Sequence, residues 1–77
     1  MVTILLFAQL QEDVGQNRLE LELEQTTVTK LKETLQEKFN LTQLGQVMTA
    51  INEEYALNDD LVNPGDTVAF IPPVSGG

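Results

Sequence analysis

The run Ile71-Pro72-Pro73-Val74-Ser75-Gly76-Gly77 is the part of this 77-residue chain whose residue types and order allow covalent chemistry. The chain has no Cys and no His. Ser75 is the only serine, and without an imidazole to take its proton it reads as a spacer rather than a nucleophile. The reactive group is therefore expected on the main chain, as the carboxylate of Gly77. Two glycines in a row lack Cβ atoms, so their backbone can thread a channel too narrow for other residues and bend freely at the reacting centre. Pro72 and Pro73 stiffen the approach, and six extended residues reach on the order of 20 Å. A frayed terminus has much the same composition, and on the tail alone both readings stand.

A carboxylate is a poor electrophile because its charge is delocalised and its leaving group would be oxide. Adenylation changes that: the acyl phosphate can be attacked by a sulfur nucleophile, leaving a thiocarboxylate that can deliver sulfur. Neither G-x-x-x-x-G-K-[ST] nor G-x-G-x-x-G occurs in the chain, so ATP is expected on a partner enzyme. Asp59-Asp60 with Asp66, and Glu53-Glu54, lack the spacing and glycine of a calcium loop and read as solvated loop charge. No metal or bound cofactor is expected.

The elements that must carry this tail can be read from hydrophobic periodicity. Val2 to Ala8 is a short apolar run suited to a central strand, with Val2, Ile4 and Leu6 on one face and Leu5 and Phe7 on the other. Gln9 to Gly15, with Leu10 and Val14 four apart, predicts one or two helical turns ended by Gly15. Leu19 to Glu24 alternates strictly and predicts a half-buried strand antiparallel to the first. From Thr27 the period changes. Val28, Leu31, Leu35 and Phe39 mark one face of an amphipathic helix, with Thr27 as N-cap, an incomplete capping box because Lys30 stands where Glu or Gln would answer, and Asn40 as stop.

Val47 to Ile51 predicts a strand, Asn52-Glu53-Glu54 a turn and Tyr55-Ala56-Leu57 the return. Asn63-Pro64-Gly65-Asp66 is a turn, Thr67 to Ile71 a strand, and Pro72-Pro73 its end, since neither proline can donate to a ladder. The order predicts an α+β fold, a mixed sheet with one main helix packed on one face. Val68 and Phe70 then join Val2, Ile4 and Leu6 beneath the helix. Leu5, Phe7, Ala69 and Ile71 face the other way, where an apolar patch calls for another protein.

Composition narrows the partners. Four basic residues against 12 acidic ones give a net charge of −8, which repels nucleic acid and anionic lipid and favours a basic protein surface. The apolar N-terminal run has no positive flank and is far shorter than the roughly 20 residues that cross a bilayer, so it reads as a strand, not a signal. Cytoplasm is the expected compartment.

With these residues in view, the chain resembles the small, sulfur-carrying subunits of molybdopterin synthase, which are ubiquitin-like β-grasp proteins. The likeness spans the chain: Leu6-Phe7-Ala8-Gln9, the alternating second strand, the single helix, the Asn63-Pro64-Gly65-Asp66 turn, and Val68 to Gly77. A Gly-Gly end is common to several ubiquitin-like groups. The Phe-x-Pro-Pro-Val-Ser-Gly-Gly form from Phe70 is much more specific.

The resemblance implies one β-grasp domain over 1–77, with 72–77 as a flexible C-terminal tail. It implies that an E1-like activating enzyme adenylates Gly77 with ATP and converts it to a thiocarboxylate (1-thioglycine), with Gly76 as the permissive backbone beside it. The tail would enter the large synthase subunit, in a heterotetramer of two small and two large subunits, and give sulfur to cyclic pyranopterin monophosphate to build the molybdopterin dithiolene. Partner contacts map onto Pro73, Val74 and Ser75 and, by position, onto Phe7 and Ile71. Gln11 stands where relatives often carry Arg, Ile71 where they carry an aromatic, and the 40–46 loop is brief. Thiamin-type sulfur carriers lack the Pro-Pro-Val-Ser stem and rank behind. A ubiquitin-like binding module with an inert tail is a further alternative, and trimming Gly77 separates it from a carrier.

Overall fold

The computed structural model describes residues 1–39, 41, 44 and 47–72. In chain order these form β1 (Val2–Leu6), α1 (Ala8–Val14), β2 (Arg18–Leu21), β3 (Thr26–Thr27), α2 (Val28–Phe39), β4 (Met48–Ile51), β5 (Glu54–Ala56), β6 (Leu61–Val62) and β7 (Thr67–Ile71). A five-stranded sheet runs β2-β1-β7-β4-β5, and β3 and β6 form a small second sheet. The α+β expectation holds, with α2 as the main helix.

The central pair, β1 and β7, is parallel, with Ile4 beside Val68 and Leu6 beside Phe70. All other pairings are antiparallel. Because strand side chains alternate, this register puts Val2, Ile4, Leu6, Val68 and Phe70 on the helix side, where all are buried. Val28, Leu31 and Leu35 of α2 close over them from above. Burying each of these side chains contributes about 1.5–3 kcal/mol. Leu10, on α1, is also completely buried, so the short helix seals one end of the same core.

Local sequence explains the ends. The Thr27 hydroxyl accepts the Lys30 N–H at 3.2 Å, the expected cap of α2. Gly15 closes α1 with φ +85°, its N–H donating to the Gln11 carbonyl at 2.8 Å. Gly65 has φ +95°, and the Asp66 N–H returns to the Asn63 carbonyl at 3.0 Å, as a type II turn led by Pro64 requires. The Gly65 N–H also donates to the Met1 carbonyl at 2.7 Å, which fixes the start of β1 against this turn.

Several boundaries differ from the expectation. The first strand ends at Leu6 rather than Ala8, because Ala8 takes a left-handed φ and opens α1. The second strand begins at Arg18 and ends at Leu21, not Glu24, because Leu21 pairs with Val2 and β1 offers nothing further. Leu23 still packs on the core edge. The 47–51 strand begins at Met48, and the return strand is Glu54–Ala56 rather than Tyr55 to Leu57, since Ile51 pairs with Glu54 across a two-residue loop. The pairing of β3 with β6 was not expected. Both are two residues long, too short to show a period. The predicted helix stop at Asn40 lies outside the described residues.

Candidate functional site

The sheet face turned away from α2 is the candidate site. One ladder row crosses every strand of it: Arg18, Leu5, Ala69, Ala50 and Tyr55 are successive partners from β2 to β5. The two central positions are alanines, so the middle of the face is low. Larger side chains stand around it. The result is an open depression of about 700 Å³ floored by Ala50 and Ala69 and bounded by Leu5, Phe7, Tyr55 and Ile71.

Leu5, Phe7, Ala69 and Ile71 lie together on this uncovered face, as the alternation predicted. Phe7 is 43% exposed and Tyr55 80%, high values for aromatic rings, and no described element covers them. Met48, the ladder partner of Ile71, is exposed beside them. Apolar area of this kind on a small domain marks a contact surface.

Backbone geometry holds the rim in place. Phe7 is extended, with φ −126° and ψ 154°, and Ala8 follows with φ +51°, a left-handed conformation that costs a residue with a Cβ roughly 1–2 kcal/mol. That reversal swings the chain into α1 directly after Phe7. On the far rim, Asn52 and Glu53 form the two-residue loop between β4 and β5 with φ +50° and +71°, the signature of a type I′ hairpin.

Electrostatics on the face are simple. Arg18 and Glu20 pair with each other at 3.2 Å on the β2 edge, both well exposed. Asp66 is occupied: it accepts the Asn52 side-chain amide at 3.1 Å and the Asn63 N–H at 2.9 Å. Glu53 is the charged residue lining the depression among the described residues.

The expected tail residues Pro73, Val74, Ser75, Gly76 and Gly77 lie outside the described residues. The structure does place their point of departure. Strand β7 ends at Ile71, on the wall of the depression, and Pro72 follows it. Tyr55, Ala50, Asn52 and Glu53 belong to this surface as well, beyond the residues that strand alternation predicts for it. The hairpin register would have found Tyr55, since a two-residue loop at Asn52-Glu53 puts it on the side of Ala50.

A mixed sheet with its main helix on one face, and a bare opposite face at the exit of its last central strand, defines a ubiquitin-like β-grasp protein. The chain belongs to the ThiS family, whose model matches residues 4–77. It is 35% identical over 81 residues to the molybdopterin synthase sulfur carrier subunit of Haemophilus influenzae, with all of both chains covered. It is similar to a solved Pyrococcus furiosus protein described as a molybdopterin converting factor, subunit 1. The identity is 26%, the TM-score 0.81, and 95% of this chain and 97% of that one are covered. It also shares the fold of a chain in the Helicobacter pylori complex of subunits 1 and 2 of molybdopterin-converting factor, with TM-score 0.70, 24% identity and coverage of 99% and 97%. The family expectation from the sequence is thus met. No described helix is long and apolar enough to cross a membrane.

Proposed function

We propose that this chain is a cytoplasmic sulfur carrier that serves as the small subunit of molybdopterin synthase. The observation that carries this reading is the similarity, over all of both chains, to a curated sulfur carrier subunit of that enzyme, joined to a Pro-Pro-Val-Ser-Gly-Gly sequence that follows directly on a strand ending at the wall of an apolar depression.

In this reading an E1-like partner binds ATP and transfers its adenylyl group to the Gly77 carboxylate, releasing pyrophosphate. Hydrosulfide delivered by a sulfur donor then attacks the acyl carbon and expels AMP, leaving a thiocarboxylate. The bare sheet face docks on the large subunit through Phe7 and Ile71, while Pro73, Val74 and Ser75 guide Gly76 and Gly77 to the pterin held there. A dithiolene contains two sulfurs, and each loaded terminus supplies one, so two carriers are consumed per product. A heterotetramer of two small and two large subunits accommodates that stoichiometry. The contribution of this chain is positional, since no side chain of it takes part in the sulfur step.

Intact mass spectrometry tests the proposal. Protein recovered from cells containing the activating partner and a sulfur supply gains about 16 Da, oxygen replaced by sulfur at an activated acyl group. Unmodified mass in such cells, or full cofactor assembly by a variant lacking Gly77, overturns it.

A further inference from the structure

Glu53 sits where a glycine would be more comfortable. It is the second loop residue of the β4–β5 hairpin, with φ +71°, and glycine meets that conformation without steric cost. Asn52, the other loop residue, has a structural reason to be there, because its side chain bonds Asp66 and Thr67. Glu53 has none. Among the described residues no hydrogen bond or ion pair reaches its carboxylate, and it is exposed. Strain kept at a residue with no internal partner points outward, to a contact made with another molecule.

The surroundings specify that contact. Glu53 stands at the edge of the depression floored by Ala50 and Ala69, with the Tyr55 ring also on the rim. Arg18 is paired with Glu20, and Lys30, Lys32 and Lys38 all belong to α2 on the other side of the sheet. The depression therefore combines an apolar floor, one uncompensated carboxylate and an aromatic face. A long-stemmed cation fits that combination: its methylenes lie on the alanines, and its head reaches both the carboxylate and the ring. Arginine fits better than lysine, since its planar fork meets a carboxylate and stacks on an aromatic.

We propose that Glu53 is a specificity-determining contact of the docking face, receiving an arginine that the large synthase subunit lays across the Ala50–Ala69 floor. This rests on the reading of the chain as a synthase subunit. The net charge of −8 agrees with it, because a basic partner surface is attracted over distance and the arginine then sets the register.

The test is calorimetric titration of the full chain into the purified large subunit of molybdopterin synthase from the same organism, at low and high salt. Glu53→Gln keeps the shape and removes the charge. It weakens binding about 3- to 10-fold at roughly 50 mM salt, and the difference shrinks at about 500 mM, where rim charges are screened. Glu53→Gly weakens binding as much while raising the melting temperature by several degrees, a pairing that a purely structural residue does not give. Phe7→Ala, the control, weakens binding at both salt concentrations. If Glu53→Gln binds like the unaltered chain while Phe7→Ala does not, the Glu53 contact is refuted and the synthase reading stands. A loss with Glu53→Gly but not Glu53→Gln also refutes it, since the turn and not the charge would then matter. If the unaltered chain does not bind at all, both fall together.

Discussion

Asn52 grips Thr67 twice: its backbone N–H donates to the Thr67 carbonyl at 2.8 Å, and its side-chain Oδ1 accepts the Thr67 N–H at 3.0 Å. The same side chain donates to Asp66 at 3.1 Å. One residue in a left-handed conformation thereby bolts the β4–β5 hairpin to the first residue of β7, the strand that ends at the tail. Replacing it with Ala removes two hydrogen bonds and puts a Cβ with no polar group at φ +50°. The expected loss is about 1–2 kcal/mol. Asn52→Gly keeps the conformation and loses less. Urea denaturation of both variants checks the order, and equal losses would show that the side-chain bonds alone matter.

Ala8 carries the opposite kind of prediction. It is exposed, with φ +51°, so its methyl group contributes strain without packing. Ala8→Gly is expected to raise stability by about 1 kcal/mol, and Ala8→Val to lower it by more, because branching at Cβ worsens the clash. Thermal melts read both. A destabilised Ala8→Gly would mean that the glycine's freedom in the unfolded chain outweighs the relieved strain.

Much of this arrangement was legible in the sequence because burial imposes a period. Val2, Ile4, Leu6, Val68 and Phe70 separate cleanly from Leu5, Phe7, Ala69 and Ile71, since a strand can hide only every second residue when a single helix covers the sheet. Gly15 and Gly65 announced their turns because both positions need a positive φ. What the sequence did not disclose has the opposite character. The β3–β6 pair is too short for a period, and its strands are far apart in the chain. Ala50 gives no sign from its own side chain that it floors a depression, because that depends on what stands around it. The positive φ at Ala8 and Glu53 falls on residue types that do not ordinarily adopt it, so no local signal precedes it.

Lys32 gives a pH prediction. Its ammonium donates to the Asn58 side chain at 3.1 Å, and partial burial holds its pKa below the ordinary lysine value of 10.5. Desolvation penalises the charged form, so between the lowered folded value and 10.5 the unfolded chain binds more protons and stability rises with pH. Below that window the charged amine carries its penalty in full. The stability of the unaltered chain relative to Lys32→Met should therefore climb as pH is raised toward 10.5. Paired urea midpoints at several alkaline pH values measure this, and a flat difference would contradict it.

Phe70 and Ile71 are consecutive on β7, and their substitutions should fail in different ways. The Phe70 side chain is completely buried against α2, so Phe70→Ala leaves a cavity costing about 3–5 kcal/mol. That approaches the whole stability of a domain this small, and the variant should be largely unfolded at 37 °C or close to it. Ile71 lies half-buried on the opposite face, at the wall of the depression. Ile71→Ala therefore keeps a cooperative melt near that of the unaltered chain. It should weaken capture by the large subunit about 10-fold or more, as truncation of an interface anchor does. Circular dichroism melts and binding titrations on both variants distinguish the roles. An Ile71→Ala protein that melts early but binds normally once folded would reassign that residue to the core, and the docking face would lose one of its two anchors.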